Sequence, residues 1–189
     1  VEVERKDLLV EQIEEGNDSR LKIYYQDVDG QTTTIKWILE DYLNNVATTG
    51  CKLNEVVELE IISVGNKAIT NDDISFMNST SMLSLKQLDM QRANVYDKST
   101  DTYHRLPNNA FYGVSKYESL ILPQNLVGIG ANAFLNSNIE NVITELNEFA
   151  KPRGFKFQVT DRGLMSIPMK ENGDLMQDSE LGTLTAVEV

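Results

Sequence analysis

A short phrase occurs twice between residues 106 and 142, and no other feature limits the possible folds as strongly. Ala110-Phe111 recurs 23 residues later as Ala133-Phe134. A fixed period in the twenties, with apolar residues at matching positions, is typical of leucine-rich solenoids. Each repeat of such a chain supplies one strand and a turn or short helix, and it buries its apolar side only by stacking on its neighbours. The period therefore predicts an α/β solenoid.

Weaker copies of the strand pattern precede this stretch. Residues 85–95 fit the pattern L-x-x-L-x-L-x-x-N-x-L, and residues 56–64 repeat its apolar positions 29 residues earlier. Counting a degenerate first copy, we predict five strand cores, each with two inward-facing residues: Leu21/Ile23, Leu59/Ile61, Leu88/Met90, Leu120/Leu122 and Val142/Thr144. Their spacing varies, and extra loop length is inexpensive because each doubling costs only about 0.6 kcal/mol. We expect irregular leucine-rich repeats with about five short parallel strands.

Three phenylalanines stand at similar distances before successive strand cores. Phe76, Phe111 and Phe134 precede those cores by 12, 9 and 8 residues. In stacked repeats, equivalent side chains lie above one another in the core. The three rings are therefore expected to form one buried stack.

Two of the repeat segments resemble a known family. L-P-x-x-A-F-x-x-V-x-x-Y-x-x-L-x-L-P (106–123) and L-x-x-I-G-x-x-A-F (126–134) are similar to the BspA-like leucine-rich repeats of bacterial cell-surface proteins. The chain departs from that pattern at Tyr117, where Leu is usual, and at Val114 and Ser137, where Cys or a small residue is usual. The resemblance implies a bacterial protein that is secreted, or displayed at the cell surface by an outer-membrane anchor, and that serves in adhesion or in binding a partner.

The beginning of the chain predicts a cap over the first repeat. Residues 4–16 place Leu8, Leu9 and Ile13 on one helical face, and Gly16 stands where a C-cap is expected. A solenoid needs its open end covered. The segment therefore predicts an N-terminal helical cap.

The end of the chain departs from the repeat pattern. Residues 154–161 alternate like a strand, and Asn172-Gly173 is typical of a hairpin turn. We therefore divide the chain into residues 1–150, the repeat domain with its N-terminal cap, and residues 151–189. The second part is either a C-terminal β-rich cap or the start of a further domain.

One segment carries a regular helical pattern. Its apolar residues recur at i, i+3, i+4, i+7, i+8 and i+11, as Ile35, Ile38, Leu39, Tyr42, Leu43 and Val46. This spacing predicts an amphipathic helix that ends before Gly50. A shorter helical turn is expected in residues 71–78, with Asn71 or Asp72 as its N-cap.

Charge and composition exclude several classes of function. With 17 basic and 29 acidic residues, the formal net charge is −12. That charge argues against nucleic acid, because phosphate binding rests on clustered Lys and Arg. No apolar run reaches the roughly 18 residues of a membrane span, so no membrane insertion is expected. Cys51 is the single cysteine and has no partner for an intrachain disulfide; its expected role is that of a small, partly buried apolar residue.

Residues suited to catalysis or metal binding are sparse. His104 is the only histidine, and a solvated loop position is its expected role. The stretch YYQDVDGQ places Gly30 where an EF-hand has its glycine, but Tyr25 and Lys36 would then fill the first and twelfth positions, whose side chains must bind Ca²⁺. Asp29-Gly30 is therefore interpreted as a turn. No catalytic residue, no metal site and no cofactor is predicted.

The outward face of the predicted sheet is the remaining candidate for a functional site. Within each L-x-L core the residue between the two leucine positions points outward. One outward column holds Lys22, Glu60, Asp89, Ile121 and Ile143, and the column beside it holds Arg20, Glu58, Gln87, Ser119 and Asn141. Solenoids present such a sheet as a recognition surface. These ten residues are the predicted binding site for a protein or glycan partner, and a merely solvated face is the alternative.

Three functions are compatible with these patterns. The first is a non-catalytic binding module, the second is a structural spacer that displays another domain, and the third is an enzyme with its site in residues 151–189. The outward column becomes apolar at Ile121 and Ile143. We expect residues 151–189, or a partner chain in their place, to cover that pair.

Calcium tests the interpretation of Asp29-Gly30 as a turn. A ligand stabilises only the state that binds it, so added Ca²⁺ or a chelator is expected to leave the melting temperature unchanged. Thermal denaturation followed by circular dichroism measures this. A calcium-dependent rise of several degrees contradicts the interpretation.

Overall fold

The computed structural model describes residues 4–137, 155–160 and 163–168. Its strands, numbered along the chain, are β1 (Val10–Gln12), β2 (Arg20–Tyr25), β3 (Glu58–Ser63), β4 (Ala68–Ile69), β5 (Gln87–Asp89), β6 (Asn94–Asp97), β7 (Thr102–Tyr103), β8 (Arg105–Leu106), β9 (Ser119–Ile121), β10 (Gly128–Ile129), β11 (Phe155–Thr160) and β12 (Gly163–Pro168). Within the same ranges the helices are α1 (Ile35–Asn45) and α2 (Asn71–Asn78), and short 3₁₀ turns span Leu53–Glu55 and Thr80–Met82.

Among the described residues, the largest sheet has five strands in the order β1-β2-β3-β5-β9. β2, β3, β5 and β9 run parallel to one another, whereas β1 is antiparallel to β2. β4, β6 and β7 form a three-stranded sheet, β8 pairs with β10, and β11 pairs with β12. The hydrophobic core joins the inner residues of the largest sheet to the buried faces of α1 and α2. The other face of that sheet carries the predicted binding residues.

Four of the five predicted strand cores are confirmed in position and direction. Leu21, Leu59, Leu88 and Leu120 lie in register on β2, β3, β5 and β9, and all four are buried. The fifth core, Val142/Thr144, lies outside the described residues. The two-residue alternation of each strand therefore identified its inner side correctly.

The predicted α/β solenoid of leucine-rich repeats is wrong. The described chain is a small mixed α/β domain with two helices and with sheets of five, three and two strands. A solenoid stacks one unit many times, whereas the connections between these parallel strands differ. β2 leads to β3 through α1, β3 leads to β5 through β4 and α2, and β5 leads to β9 through an antiparallel hairpin of β6 and β7. An apolar strand pattern determines which residues face inward, but it does not make the connecting units equal.

The predicted N-terminal helical cap is also wrong. Val10–Gln12 forms β1, in which Val10 pairs with Ile23 and is buried. Leu8 and Ile13 are 50% and 41% exposed, so only Leu9 of the apolar face that suggested a helix packs against the core. A short helix with no packed face is only marginally stable in water. Pairing along β2 satisfies the same backbone groups by interstrand hydrogen bonds.

The amphipathic helix is confirmed as α1. It begins after Thr34, whose hydroxyl accepts a hydrogen bond from the backbone N–H of Trp37 at 3.1 Å, and it ends before Gly50. Four of the six predicted apolar positions are buried: Ile35, Ile38, Leu39 and Tyr42. Val46 is the C-cap and is 57% exposed, because the helical stripe ends there.

α2 confirms the helical turn predicted for residues 71–78, with a different N-cap. Thr70 is the N-cap, in place of Asn71 or Asp72. Thr70 and the carboxylate of Asp73 form a capping box, in which each side chain binds the backbone N–H of the other residue. Prediction from residue type missed it because Thr, Asn and Asp all cap helices well.

A half-buried lysine binds carbonyl oxygens at the C-terminal end of α2. The ammonium group of Lys116 donates hydrogen bonds to the carbonyl oxygens of Met77 at 2.5 Å and Met82 at 2.8 Å. Carbonyls at a helix C-terminus have no partner within the helix, and a cation is favoured there. Burial lowers the pKa of Lys116 to about 8. These bonds tie the segment before β9 to the end of α2.

Two of the three phenylalanines predicted to stack do so. The rings of Phe111 and Phe134 are buried and parallel to within 1°, with centroids 5.6 Å apart. Phe76 is only partly buried and packs at the edge of the core, while Tyr117 meets Phe111 edge-on at 5.9 Å. The prediction is confirmed for the first pair and wrong for Phe76.

β11 and β12 form an antiparallel hairpin, with Phe155 opposite Pro168 and Thr160 opposite Gly163. The strand predicted from the alternation in residues 154–161 is therefore confirmed. The predicted turn at Asn172-Gly173 lies outside the described residues. The division of the chain at residue 150 stays a prediction.

Truncation of the stacked ring tests the core arrangement. Phe111→Ala is expected to lower the free energy of unfolding by about 3–5 kcal/mol, because a buried ring is lost and a cavity remains. Urea denaturation measures the change. Phe76→Ala is the control, since it removes the same ring from a partly buried position and is expected to cost less. Equal losses in the two variants contradict the stack.

Candidate functional site

One column of the predicted binding face has the expected neighbours. Arg20, Glu58, Gln87 and Ser119 lie in register on β2, β3, β5 and β9, and all four are half-buried. The Arg20 guanidinium donates hydrogen bonds to the Glu58 carboxylate at 2.7 Å and to the Gln87 amide oxygen at 2.9 Å. The cation of β2 is therefore held by side chains of the next two strands.

The second column carries both signs of charge. Lys22, Glu60, Asp89 and Ile121 lie in register, and the Lys22 ammonium is 3.9 Å from the Glu60 carboxylate. Asp89 accepts a hydrogen bond from the Gln91 backbone N–H at 2.9 Å. Like charges opposite each other on neighbouring strands repel. The Glu60–Asp89 pair is therefore the part of the face where a cationic group of a partner is most favoured.

Two features set the limits of this face. At the end toward Tyr24, the next outward position of β3 is Ile62, which is buried. At the β1 side, Glu11 pairs in register with Lys22 and is exposed. The accessible region thus consists of the two columns and the half-buried Tyr24, with an acidic residue on its β1 side.

Two predicted site residues, Asn141 and Ile143, lie outside the described residues. The expected cover over Ile121 and Ile143 lies outside them for the same reason. Ile121 itself is half-buried. The structure therefore brings together eight of the ten predicted residues.

A buried carboxylate that the sequence analysis did not identify positions β2. Asp18 accepts hydrogen bonds from the Gln12 amide at 2.7 Å, the Tyr42 hydroxyl at 2.7 Å and the Thr49 hydroxyl at 2.6 Å. Burial alone would raise the pKa of Asp18, but the hydrogen bonds from Thr49, Tyr42 and Gln12 outweigh it and lower the pKa to about 2. Asp18 thus joins β1, α1 and the segment after α1 to the start of the strand that carries Arg20.

A second surface feature was also missed. Tyr96 and Tyr103 pair in register on β6 and β7, and their ring centroids are 4.7 Å apart. Tyr103 is 54% exposed. The available signal was a pair of tyrosines on either side of the turn-forming stretch D-K-S-T-D. Antiparallel pairing across that turn is what brings the rings together.

The described residues hold no group of three or more His, Cys, Asp or Glu side chains placed to bind a metal ion. Gly30 has φ +77°, and the Gln31 N–H donates to the Val28 carbonyl, so the predicted turn is confirmed. His104 lies beside Tyr103, with ring centroids 6.2 Å apart. Cys51 is a free thiol whose pKa is raised by burial and by the nearby carboxylate of Glu55.

No helix of the described ranges is long and apolar enough to cross a membrane. No protein-family model, no curated protein and no solved structure matches the chain. The resemblance to the BspA-like repeats therefore stays a prediction, as does everything that it implies about function and localisation.

Acid titration tests the role of Asp18. Its folded-state pKa lies below its ordinary value of 3.8, so its stabilising contribution is complete above about pH 4 and is lost as the pH falls through 2. Asp18→Asn is expected to lower the free energy of unfolding by about 2 kcal/mol at pH 7 and by much less near pH 2. Urea denaturation at both pH values measures this.

Glu40→Gln is the matched control, because Glu40 is an exposed carboxylate of α1. It is expected to change stability little at either pH. A difference between Asp18→Asn and the parent that is the same at pH 7 and near pH 2 contradicts the assignment.

Proposed function

We propose that the chain is a non-catalytic binding module that recognises a protein partner through the outer face of its five-stranded sheet. The observation that carries the proposal is the array of Arg20, Lys22, Glu58, Glu60, Gln87, Asp89, Ser119 and Ile121 on four parallel strands. All eight side chains are half-buried. Their neighbours therefore restrict these side chains, and each side chain still has accessible surface that can contact another molecule.

The ordered guanidinium group of Arg20 supports a role of the sheet face in recognition. The Arg20 side chain is 37% exposed and is held by Glu58 and Gln87. Exposed ion pairs contribute little to stability, about 0–1 kcal/mol. Their effect is greater on binding, because a side chain that is already ordered loses less entropy when a partner docks.

The charges of the face indicate the chemistry of the partner. Cations lie on β2, at Arg20 and Lys22, and anions lie on β3 and β5, at Glu58, Glu60 and Asp89. Complementary charge gives specificity and speeds association more than it adds affinity. The partner surface that fits carries acidic groups opposite β2 and basic groups opposite the Glu60–Asp89 pair.

Size favours a protein over a small ligand. Neighbouring strands are about 4.8 Å apart, so four strands give a face roughly 14 Å wide. A stable protein interface involves about 20–30 residues on each side. These eight residues match the central part of such an interface, with Ile121 as an apolar contact and Glu11 at the rim.

The two other predicted functions are a structural spacer and an enzyme. A spacer that displays another domain requires no recognition face, and an enzyme with its site in residues 151–189 rests on a segment that is largely outside the described residues. The surface or secreted localisation rests on the family resemblance alone. No described geometry favours these alternatives over binding at the sheet face.

Charge reversal on the sheet face tests the proposal. Glu60→Arg places a cation beside Lys22, so it is expected to abolish binding of partners that the parent chain retains. Glu40→Arg is the matched control, since it makes the same charge change on the exposed side of α1. Each immobilised variant is exposed to blood plasma as a mixture of extracellular proteins, and the retained proteins are identified by mass spectrometry.

Partners lost with Glu60→Arg and kept with Glu40→Arg are the expected result. Equal retention by both variants, or loss with both, contradicts recognition through this face. Near-ultraviolet circular dichroism of each variant verifies that the fold is unchanged.

A further inference from the structure

The hairpin of β6 and β7, which belongs to a different sheet from the predicted binding face, presents two aromatic rings. Tyr96 and Tyr103 stand directly opposite each other on the two strands, and their rings are tilted by 41° with centroids 4.7 Å apart. Opposed residues of an antiparallel pair project to the same side. Tyr103 is 54% exposed, so one aromatic ring is half open to solvent on a support made by the other.

A buried polar centre holds this hairpin in shape. The Asp97 carboxylate is fully buried and accepts hydrogen bonds from Asn71 at 3.2 Å, from the Ser99 backbone N–H at 3.0 Å and from the Thr100 hydroxyl at 2.9 Å. It also pairs with the Arg105 guanidinium. Burial alone would raise the pKa of Asp97, but the hydrogen bonds outweigh it and lower the pKa. The hairpin is thereby fastened to α2 and β8.

The two ends of β7 are set by left-handed backbone. Asp101 has φ +51° and His104 has φ +60°, a conformation that residues other than Gly rarely adopt. The Asp101 carboxylate, which is exposed, accepts a hydrogen bond from the Tyr96 hydroxyl. The turn therefore fixes both the ring of Tyr96 and a carboxylate at its edge.

An exposed apolar residue, just before β10, is hydrogen-bonded to the backbone at the end of β7. The Val127 backbone N–H donates to the His104 carbonyl at 2.8 Å, and the Val127 side chain is 79% exposed. The exposed side chains of Tyr103 and Val127 do not contribute to the hydrophobic core. Such groups offer contact area at a small entropic cost, which suits recognition.

We propose that Tyr96, Tyr103 and Asp101 form a carbohydrate-binding site whose ligand is a pyranose ring. The face of a tyrosine ring is negative, and the C–H bonds along one face of a pyranose are its positive counterpart. The sugar lies against the open face of Tyr103. A carboxylate has about four acceptor positions, so Asp101 accepts a sugar hydroxyl as well as the Tyr96 hydroxyl.

The small extent of the surface distinguishes a sugar from a protein. A stable protein interface buries about 800 Å² on each partner, whereas one aromatic side chain buries about 150–250 Å². One half-exposed ring, with a carboxylate at the hydroxyl of the ring that supports it, matches one or two sugar units. This site shares no residue with the sheet face and does not rest on the proposed function.

Affinity electrophoresis in native gels tests the site. The probes are four neutral polysaccharides cast into the gel, namely a β-1,3-glucan, a hydroxyethyl β-1,4-glucan, a galactomannan and dextran. A fifth gel contains a mucin, and a sixth contains the same mucin after enzymatic removal of its glycans. The chain carries a net charge of −12 and migrates readily, so binding to an immobile neutral polymer appears as retardation.

Retardation by at least one of the sugar probes is the expected result, and the gels separate a free polysaccharide from a glycan attached to protein. Tyr103→Ala and Tyr103→Leu are expected to weaken binding about tenfold, which is the size of one aromatic contact, whereas Tyr103→Phe retains it. Tyr103→Leu removes the ring but keeps a branched apolar side chain, so it separates the aromatic ring from mere apolar area.

Tyr112→Ala is the matched control, because Tyr112 is 50% exposed and lies outside the hairpin. It is expected to bind like the parent, as is Glu40→Arg on the exposed side of α1. Failure of all the sugar probes to retard the parent chain overturns the proposal. So does unchanged retardation of Tyr103→Leu, or retardation by mucin alone that persists unchanged after its glycans are removed.

Discussion

Three elements of the core meet at the carboxylate of Asp73. It accepts hydrogen bonds from the Tyr25 hydroxyl at the end of β2, from the Ile35 backbone N–H at the start of α1 and from Thr70 at the N-cap of its own helix. The side chain is buried. A buried carboxylate is tolerated only when its hydrogen-bonding capacity is met. The relative placement of the sheet and both helices therefore depends on this one group.

Two other buried aspartates also join separate elements of the fold by hydrogen bonds. Asp18 joins β1, α1 and the start of β2, and Asp97 joins α2, β8 and the β6–β7 turn. Each of these carboxylates is buried and accepts hydrogen bonds from residues that are distant in the sequence. Asp18 and Asp73 hold the strand that carries Arg20 and Lys22, while Asp97 holds the tyrosine hairpin. Both proposed binding surfaces thus rest on buried polar centres, which allows their exposed side chains to be ordered before a ligand arrives.

The two surfaces differ in their chemistry. The sheet face is charged, and its side chains are half-buried by packing against one another across parallel strands. The hairpin is aromatic, and its principal contact residue, Tyr103, is more than half exposed. A charged, broad face suits a protein whose charges are complementary. A narrow aromatic surface suits a ring-shaped ligand.

Sequence reasoning worked where one local period determines the answer. Alternation at two residues identified the inner and outer sides of β2, β3, β5 and β9, so the neighbours of Arg20 and Lys22 on the sheet face followed directly. The 3.6-residue period identified α1 in the same way. The same period gave a wrong prediction for residues 4–16. Leu8, Leu9 and Ile13 fit one helical face, but Val10–Gln12 form a strand that pairs with β2.

By itself, then, the sequence determined four of the five predicted strand cores, their register on the sheet face, the amphipathic helix and the stacking of Phe111 on Phe134. Only the tertiary structure decided that the strands are joined by unequal connections and do not form a solenoid. It alone also decided which acidic residues are buried. The reason is physical: an aspartate at a turn is solvated or buried according to donors such as Tyr25, 48 residues from Asp73, or Tyr42, 24 residues from Asp18. No local pattern reports such distant partners.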